Sequence, residues 1–98
     1  MRLSSLTLCL LCSAPLQADT LNADDALDLL EQGKVMSLKR IISLHPEISE
    51  STLLDLQLER EEDGQLIYQF EILNANQMVV EYEIDAASGR FLREEFEE

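Results

Sequence analysis

Several residue types are scarce in this chain. It holds no tryptophan, one histidine (His45) and two cysteines, Cys9 and Cys12. Both cysteines sit in an N-terminal stretch with the layout of a secretory signal peptide. Met1-Arg2 gives a positive start, Leu3 to Cys12 is mostly apolar and uncharged, and Ser13-Ala14-Pro15-Leu16-Gln17-Ala18 is a small-residue exit. This run is too short for a stable membrane anchor, and no other stretch is apolar enough to cross a bilayer. Cleavage after Ala18 is expected, with an uncleaved anchor as the competing reading. The leucine before each cysteine argues against a lipid-modified cysteine. Residues 1–18 therefore read as a signal peptide and 19–98 as one small domain in the periplasm or outside the cell. That domain has no cysteine, which excludes both a disulfide framework and a thiolate metal site.

Basic residues are equally scarce. Losing Arg2 leaves six bases against 20 acids, a net charge of −14 on the mature chain. Such a balance disfavours nucleic acid and anionic membranes, whose phosphates need clustered Lys and Arg. It favours solubility, and it permits basic partners or weak cation binding.

Nucleophilic catalysis has few residues to work with. A Ser–His pair would need His45 beside a serine and oriented by a third group. Ser43, Ser49 and Ser51 are near in sequence, but no motif surrounds them. A capping or half-buried histidine is the simpler reading. One histidine without cysteine cannot make the usual zinc site. Glu59, Glu61, Glu62 and Asp63 cluster before Gly64, but the spacing of an EF-hand loop is absent. We therefore assign no catalytic, cofactor-binding or metal-binding residue and expect no enzyme activity.

Two helical patterns come first. Asn22 is placed to cap a helix over 23–32, with Asp24 and Asp25 in its first turn. Ala23, Ala26, Leu27 and Leu30 form its buried stripe, and Gly33 ends it. Ser37 caps a second helix over 38–44, with Leu38, Ile41, Ile42 and His45 on one face and Pro46 stopping it.

After Ser51 the period drops to two. Leu54, Leu56 and Leu58 alternate with polar residues, and Asp63-Gly64 signals a two-residue hairpin. Leu66, Tyr68, Phe70 and Ile72 form the inward face of the next strand. Met78, Val80, Tyr82 and Ile84 do the same for the third, after a turn at Asn74 to Gln77 with two asparagines suited to positive φ. Asp85-Ala86-Ala87-Ser88-Gly89 turns the chain into a last strand over about 90–96. There either Leu92 with Phe96, or Phe91 alone, faces inward. The expected fold is α+β, with two short N-terminal helices on one face of a four-stranded antiparallel meander. The core strands contribute Tyr68, Phe70, Ile72, Val80 and Ile84.

The stretches "IYQFEIL", "VVEYEIDAASG" and "RFL" follow in order through the last three strands. Together they resemble the PepSY family. Its pattern is an aromatic-rich strand, a short polar turn, a second strand ending in Asp-Ala, and a closing Thr-Gly-Glu-Val-Leu. Tyr82, Asp85, Ala86, Ser88 and Gly89 carry the motif here. "ALDLLEQGKVMSLKRIISL" resembles the helical lead-in of small single-domain members. Ser88 stands for the commoner Thr, Arg90 for a frequent Glu, and Asn74 to Gln77 for a turn that more often holds Asp and Gly. The resemblance implies a non-catalytic domain that binds or modulates another protein, such as a peptidase or a sensor. The alternative is an acidic, calcium-binding protein; a small hydrolase using His45 has least support.

Overall fold

The structure is a computed structural model and describes residues 19–97. The expected signal peptide lies outside the described residues. Five strands and three helices run in the order β1 (Asp19–Thr20), α1 (Ala23–Glu31), α2 (Leu38–Leu44), α3 (Pro46–Ser49), β2 (Thr52–Arg60), β3 (Leu66–Leu73), β4 (Val79–Asp85) and β5 (Phe91–Phe96). The sheet is antiparallel, with strands in sequence order. The α+β class and the meander stand, but the count of four strands and two helices is corrected to five and three.

The extra strand is β1, which pairs Asp19 with Arg60 and Thr20 with Glu59. Two residues cannot display a period, so pattern reading has nothing to detect. The extra helix is α3. Pro46 ends α2, as its lost N–H and fixed φ require, yet the same properties suit the first position of a new helix. Caps form where the side chains predict them. Asn22 accepts from the Asp25 N–H, and Ser37 accepts from the Arg40 N–H at 3.2 Å.

One core joins the two layers. Leu29, Val35, Ile41 and Ile48 from the helical side meet Leu58, Tyr68, Phe70, Ile72, Val80, Tyr82, Ile84 and Ala86 from the sheet. On α1 the inward stripe is Ala26 with Leu29, whereas Leu27 and Leu30 are exposed. The nine-residue helix sets Ala23 and Ala26 around a groove shared with Leu56 and Leu58 of β2, and only a narrow stripe of it is covered.

Two bulges change which residues face the core. Register slips between Leu53 and Asp55 on β2, and the residue opposite Ile72 becomes Leu53 instead of Leu54. Both leucines remain exposed, so Leu54 is no core residue. On β5, Glu83 pairs with Arg93 but Ile84 pairs with Phe91, so Leu92 is the extra residue. Phe91, Glu94 and Phe96 consequently share the core-side face with Ile84, Tyr82 and Val80. An inserted residue flips side chains in this way. It replaces both expected arrangements, since Phe91 joins Phe96 and Leu92 turns away. Met78, expected inward, is exposed just before β4.

The hairpin turns also differ in detail. The β2–β3 loop spans Glu62 to Gly64 between paired Glu61 and Gln65, one residue longer than expected, with Gly64 at φ +94. The β3–β4 loop closes between Asn74 and Met78, and the Asn74 side chain accepts from the N–H groups of Asn76 and Met78. Its left-handed residue is Gln77, at φ +65, and not an asparagine. Asn74 is committed to bonding the loop backbone, which leaves position 77 to close it. A left-handed residue with a Cβ costs about 1–2 kcal/mol. Gln77→Gly is therefore expected to raise stability by roughly 0.5–1 kcal/mol, the gain being reduced by the freer unfolded chain. Urea unfolding checks this; a lower midpoint would show that the Gln77 side chain contributes more than its backbone strain costs.

Candidate functional site

The β4–β5 turn carries the polar residues that drew attention in the sequence. Its backbone closes through Asp85 N–H to Arg90 O at 2.8 Å and Gly89 N–H to Asp85 O at 2.7 Å. Asp85 is the hub. Its Oδ2 accepts from both the N–H and the hydroxyl of Ser88, at 2.9 and 2.6 Å, and its Oδ1 accepts from Gln65 Nε2 at 3.1 Å. The Ser88 hydroxyl in turn accepts from the Arg90 N–H at 3.2 Å. Burial pushes the Asp85 carboxyl up, but the bonds from Ser88 and Gln65, with the charge of Arg90, outweigh it and hold the pKa below the usual Asp range. A carboxylate so occupied and so acidic is a poor general base near neutrality.

The turn is also where the two layers join. The Ala86 carbonyl accepts from the Met36 N–H at 2.8 Å, and the Ala86 N–H donates to the Leu66 carbonyl at 2.8 Å. Ala86 is completely buried. Gly89, at φ +78, is buried as well, and a Cβ there would lie 2.8 Å from Met36 Sδ and 3.2 Å from Leu44 Cδ1. His45 contacts the same residue, with its Nε2 2.7 Å from the Gly89 carbonyl. A carbonyl can only accept, so Nε2 carries the proton and is occupied. His45 is thus a half-buried tie between the end of α2 and the turn.

Tyr82 lies farther along β4, on the core side. Its ring meets Phe91 edge-on with centroids 5.7 Å apart. Tyr68 donates to the Met36 carbonyl at 3.3 Å and packs near Phe70. Phe70, Ile72, Val80 and Ile84 are buried in the core.

The opposite face is strongly acidic. Register places Asp55, Glu71, Glu81 and Glu95 in one row across β2 to β5. Directly opposed like charges destabilise a sheet. The next row carries Glu83 opposite Arg93, at 3.7 Å, and Arg93 also contacts Glu95. Ile67 is buried on this face between its partners Glu59 and Asp85, an apolar position the alternation does not assign. Burial first, then the charges of Glu61, Glu83 and Glu81, push the Glu59 pKa up. Glu83 is raised by burial, opposed by Arg93 and reinforced by Glu81. Glu71 is raised by burial, then by Glu97 and Asp55. Among the described residues, no group of three or more His, Cys, Asp or Glu side chains is arranged to hold a metal ion.

A concave feature lies on the core side, between α3 and β4. Glu47, Glu50, Tyr82, Val80 and Glu94 line it, with the β3–β4 turn at one end. No sequence pattern marks it, because its residues come from separate elements.

The fold and its turn define a small α+β module whose distinctive residues serve architecture. The family described as "Peptidase propeptide and YPEB domain", PepSY, matches residues 37–95, and the chain belongs to that family. No curated protein and no solved structure matches it. PepSY domains are propeptide-like or peptidase-regulating modules and are typical of secreted or periplasmic proteins. Among the described residues, no helix is long and apolar enough to cross a membrane.

Two outcomes follow from this geometry. Gly89→Ala is expected to lower stability by about 1–2 kcal/mol through its positive φ. It should cost more than Gly64→Ala, because a Cβ at Gly64 meets nothing within 4 Å. Chemical unfolding of the pair checks this, and equal losses would mean that Met36 and Leu44 move aside freely.

Stability should also pass through a maximum with pH. The raised carboxyls Glu59, Glu71 and Glu83 favour folding most when protonated, so melting temperature rises as pH falls from neutral toward their range, near and above about 4.3. The lowered Asp85 works oppositely. Its contribution is full above the unfolded Asp value of about 3.9 and is lost as pH falls through its own lower pKa. Asp85→Asn should therefore lower the melting temperature at pH 7 and shrink the loss in acid. An acid limb unchanged by that substitution would assign the loss to other groups.

Proposed function

We propose that this chain is a non-catalytic, exported module that binds another protein and modulates it, the partner being a peptidase or a sensor protein. Membership of the PepSY family supports a regulatory role. The observation that carries binding is the uncovered strip of the core-side face along β5. Phe91 and Phe96 face that side yet stay 47% and 50% exposed. Isolated exposed apolar residues are ordinary, but two aromatics beside an open groove on the helix-bearing face support reading it as an interaction surface. The first 18 residues, read as a signal peptide, support export to the periplasm or beyond. Calcium binding rests on the acidic charge, with no assembled ligand set behind it among the described residues.

The immobilised protein, exposed to periplasmic extract at micromolar concentration and several salt levels, is expected to retain a peptidase or the exported part of a sensor. Mass spectrometry identifies the retained protein, and an activity assay then shows whether the module inhibits it. Recovery of no specific protein at any salt level would count decisively against this function.

A further inference from the structure

The three helices do not cover the whole core-side face. Over the middle of β4 a groove of about 290 Å³ stays open. Val80 and Tyr82 form its apolar floor. Glu47 and Glu50, at α3 and its C-cap, and Glu94 on β5 supply three carboxylates. Among the described residues, no lysine or arginine lines it.

Tyr82 is an independent pointer to a ligand. It is 7% exposed, yet among the described residues its hydroxyl makes no hydrogen bond, unlike that of Tyr68. Tyr82 lines the groove, so its hydroxyl is available to an occupant. Burial, then the charges of Glu94 and Glu47, push its pKa up, which is consistent with both carboxylates lying within electrostatic reach of the ring.

The charge decides the occupant. A second copy of this chain would bring another net −13 to a rim that is already negative. An acidic or purely apolar segment would leave the three carboxylates unneutralised.

Resting on the binding-module reading above, we propose that this groove receives an extended segment of the partner protein with an apolar side chain flanked by lysine or arginine. The apolar side chain sits on Val80 and Tyr82, the Tyr82 hydroxyl bonds the segment's backbone, and the flanking bases meet Glu47, Glu50 and Glu94. Such an arrangement combines a desolvated anchor with a charged rim.

The test uses a short fluorescently labelled peptide alternating lysine with phenylalanine or leucine, followed by anisotropy. Two controls replace lysine by glutamate, or the apolar residues by serine. The double variant Glu47→Gln with Glu94→Gln should weaken binding about tenfold. Glu81→Gln with Glu95→Gln removes the same charge from the opposite face and should leave binding within about twofold. Backbone amide resonances of Val80, Tyr82 and Glu94 should shift on titration. Matching melting temperatures for the two double variants confirm that both fold.

Equal weakening by both pairs would overturn the proposal in favour of diffuse charge attraction, as would equal binding of the serine control. A peptide that binds but ignores the groove substitutions overturns the groove and leaves the binding-module reading standing. If no peptide binds, the groove proposal falls, and the extract experiment alone then judges the broader function.

Discussion

The N–H of Met36 bonds the carbonyl of Ala86, and one residue later Ser37 starts α2. At the far end of α2, His45 reaches the carbonyl of Gly89. Both anchors lie on the same β4–β5 turn. A seven-residue helix is about 10 Å long, enough to bridge that turn and no more. The helix is therefore fixed at both ends by one corner of the sheet. Ile41, in the middle, is driven into the core and is completely buried. The need for glycine at 89 follows from the same arrangement, since Leu44 and Met36 rest where a Cβ would stand. The polar bonds around Asp85 hold the corner in shape, and the corner holds the helical layer.

That clamp gives the sheet two unlike faces. On one, Phe70, Ile72, Val80 and Ile84 are buried in the core. On the other, a row of four carboxylates crosses the strands with Arg93 as the nearby base. The acidic face weakens the fold by self-repulsion, but it also opposes stacking of one sheet on another. A chain of 98 residues has a small apolar core to set against such repulsion. The bonds at the turn consequently matter more here than similar bonds would in a larger protein.

Much of this was legible in the sequence, because it rests on local chemistry. Asn22 and Ser37 cap because their side chains reach the first free N–H groups, and the alternation of Leu66 to Ile72 and Val80 to Ile84 is long enough to settle a face. What escaped depends on the partner strand. Leu54 and Leu92 alternate correctly within their own strands, and only the slips against β3 and β4 turn them away. Gln77 takes the left-handed position because Asn74 is used elsewhere, which composition cannot reveal. Pro46 stops one helix, and the three residues after it are too few to show in the sequence that it also starts another. Glu47 and Glu94 are separated by three strands in sequence, so nothing local links them to the groove they share.

The residues that carry the family resemblance and the residues that would choose a partner are different sets. Asp85, Ala86, Ser88 and Gly89 are committed to bonds and contacts within the chain, so a change there alters how the layers join. Glu47, Glu50 and Glu94 project at the surface, where a change alters charge and little else. A family defined by the corner therefore reports the scaffold, and recognition is free to differ among proteins that share it. For this chain the scaffold presents an apolar floor with an acidic rim, a charge pattern that by Coulomb's law rather than by ancestry would favour a basic occupant.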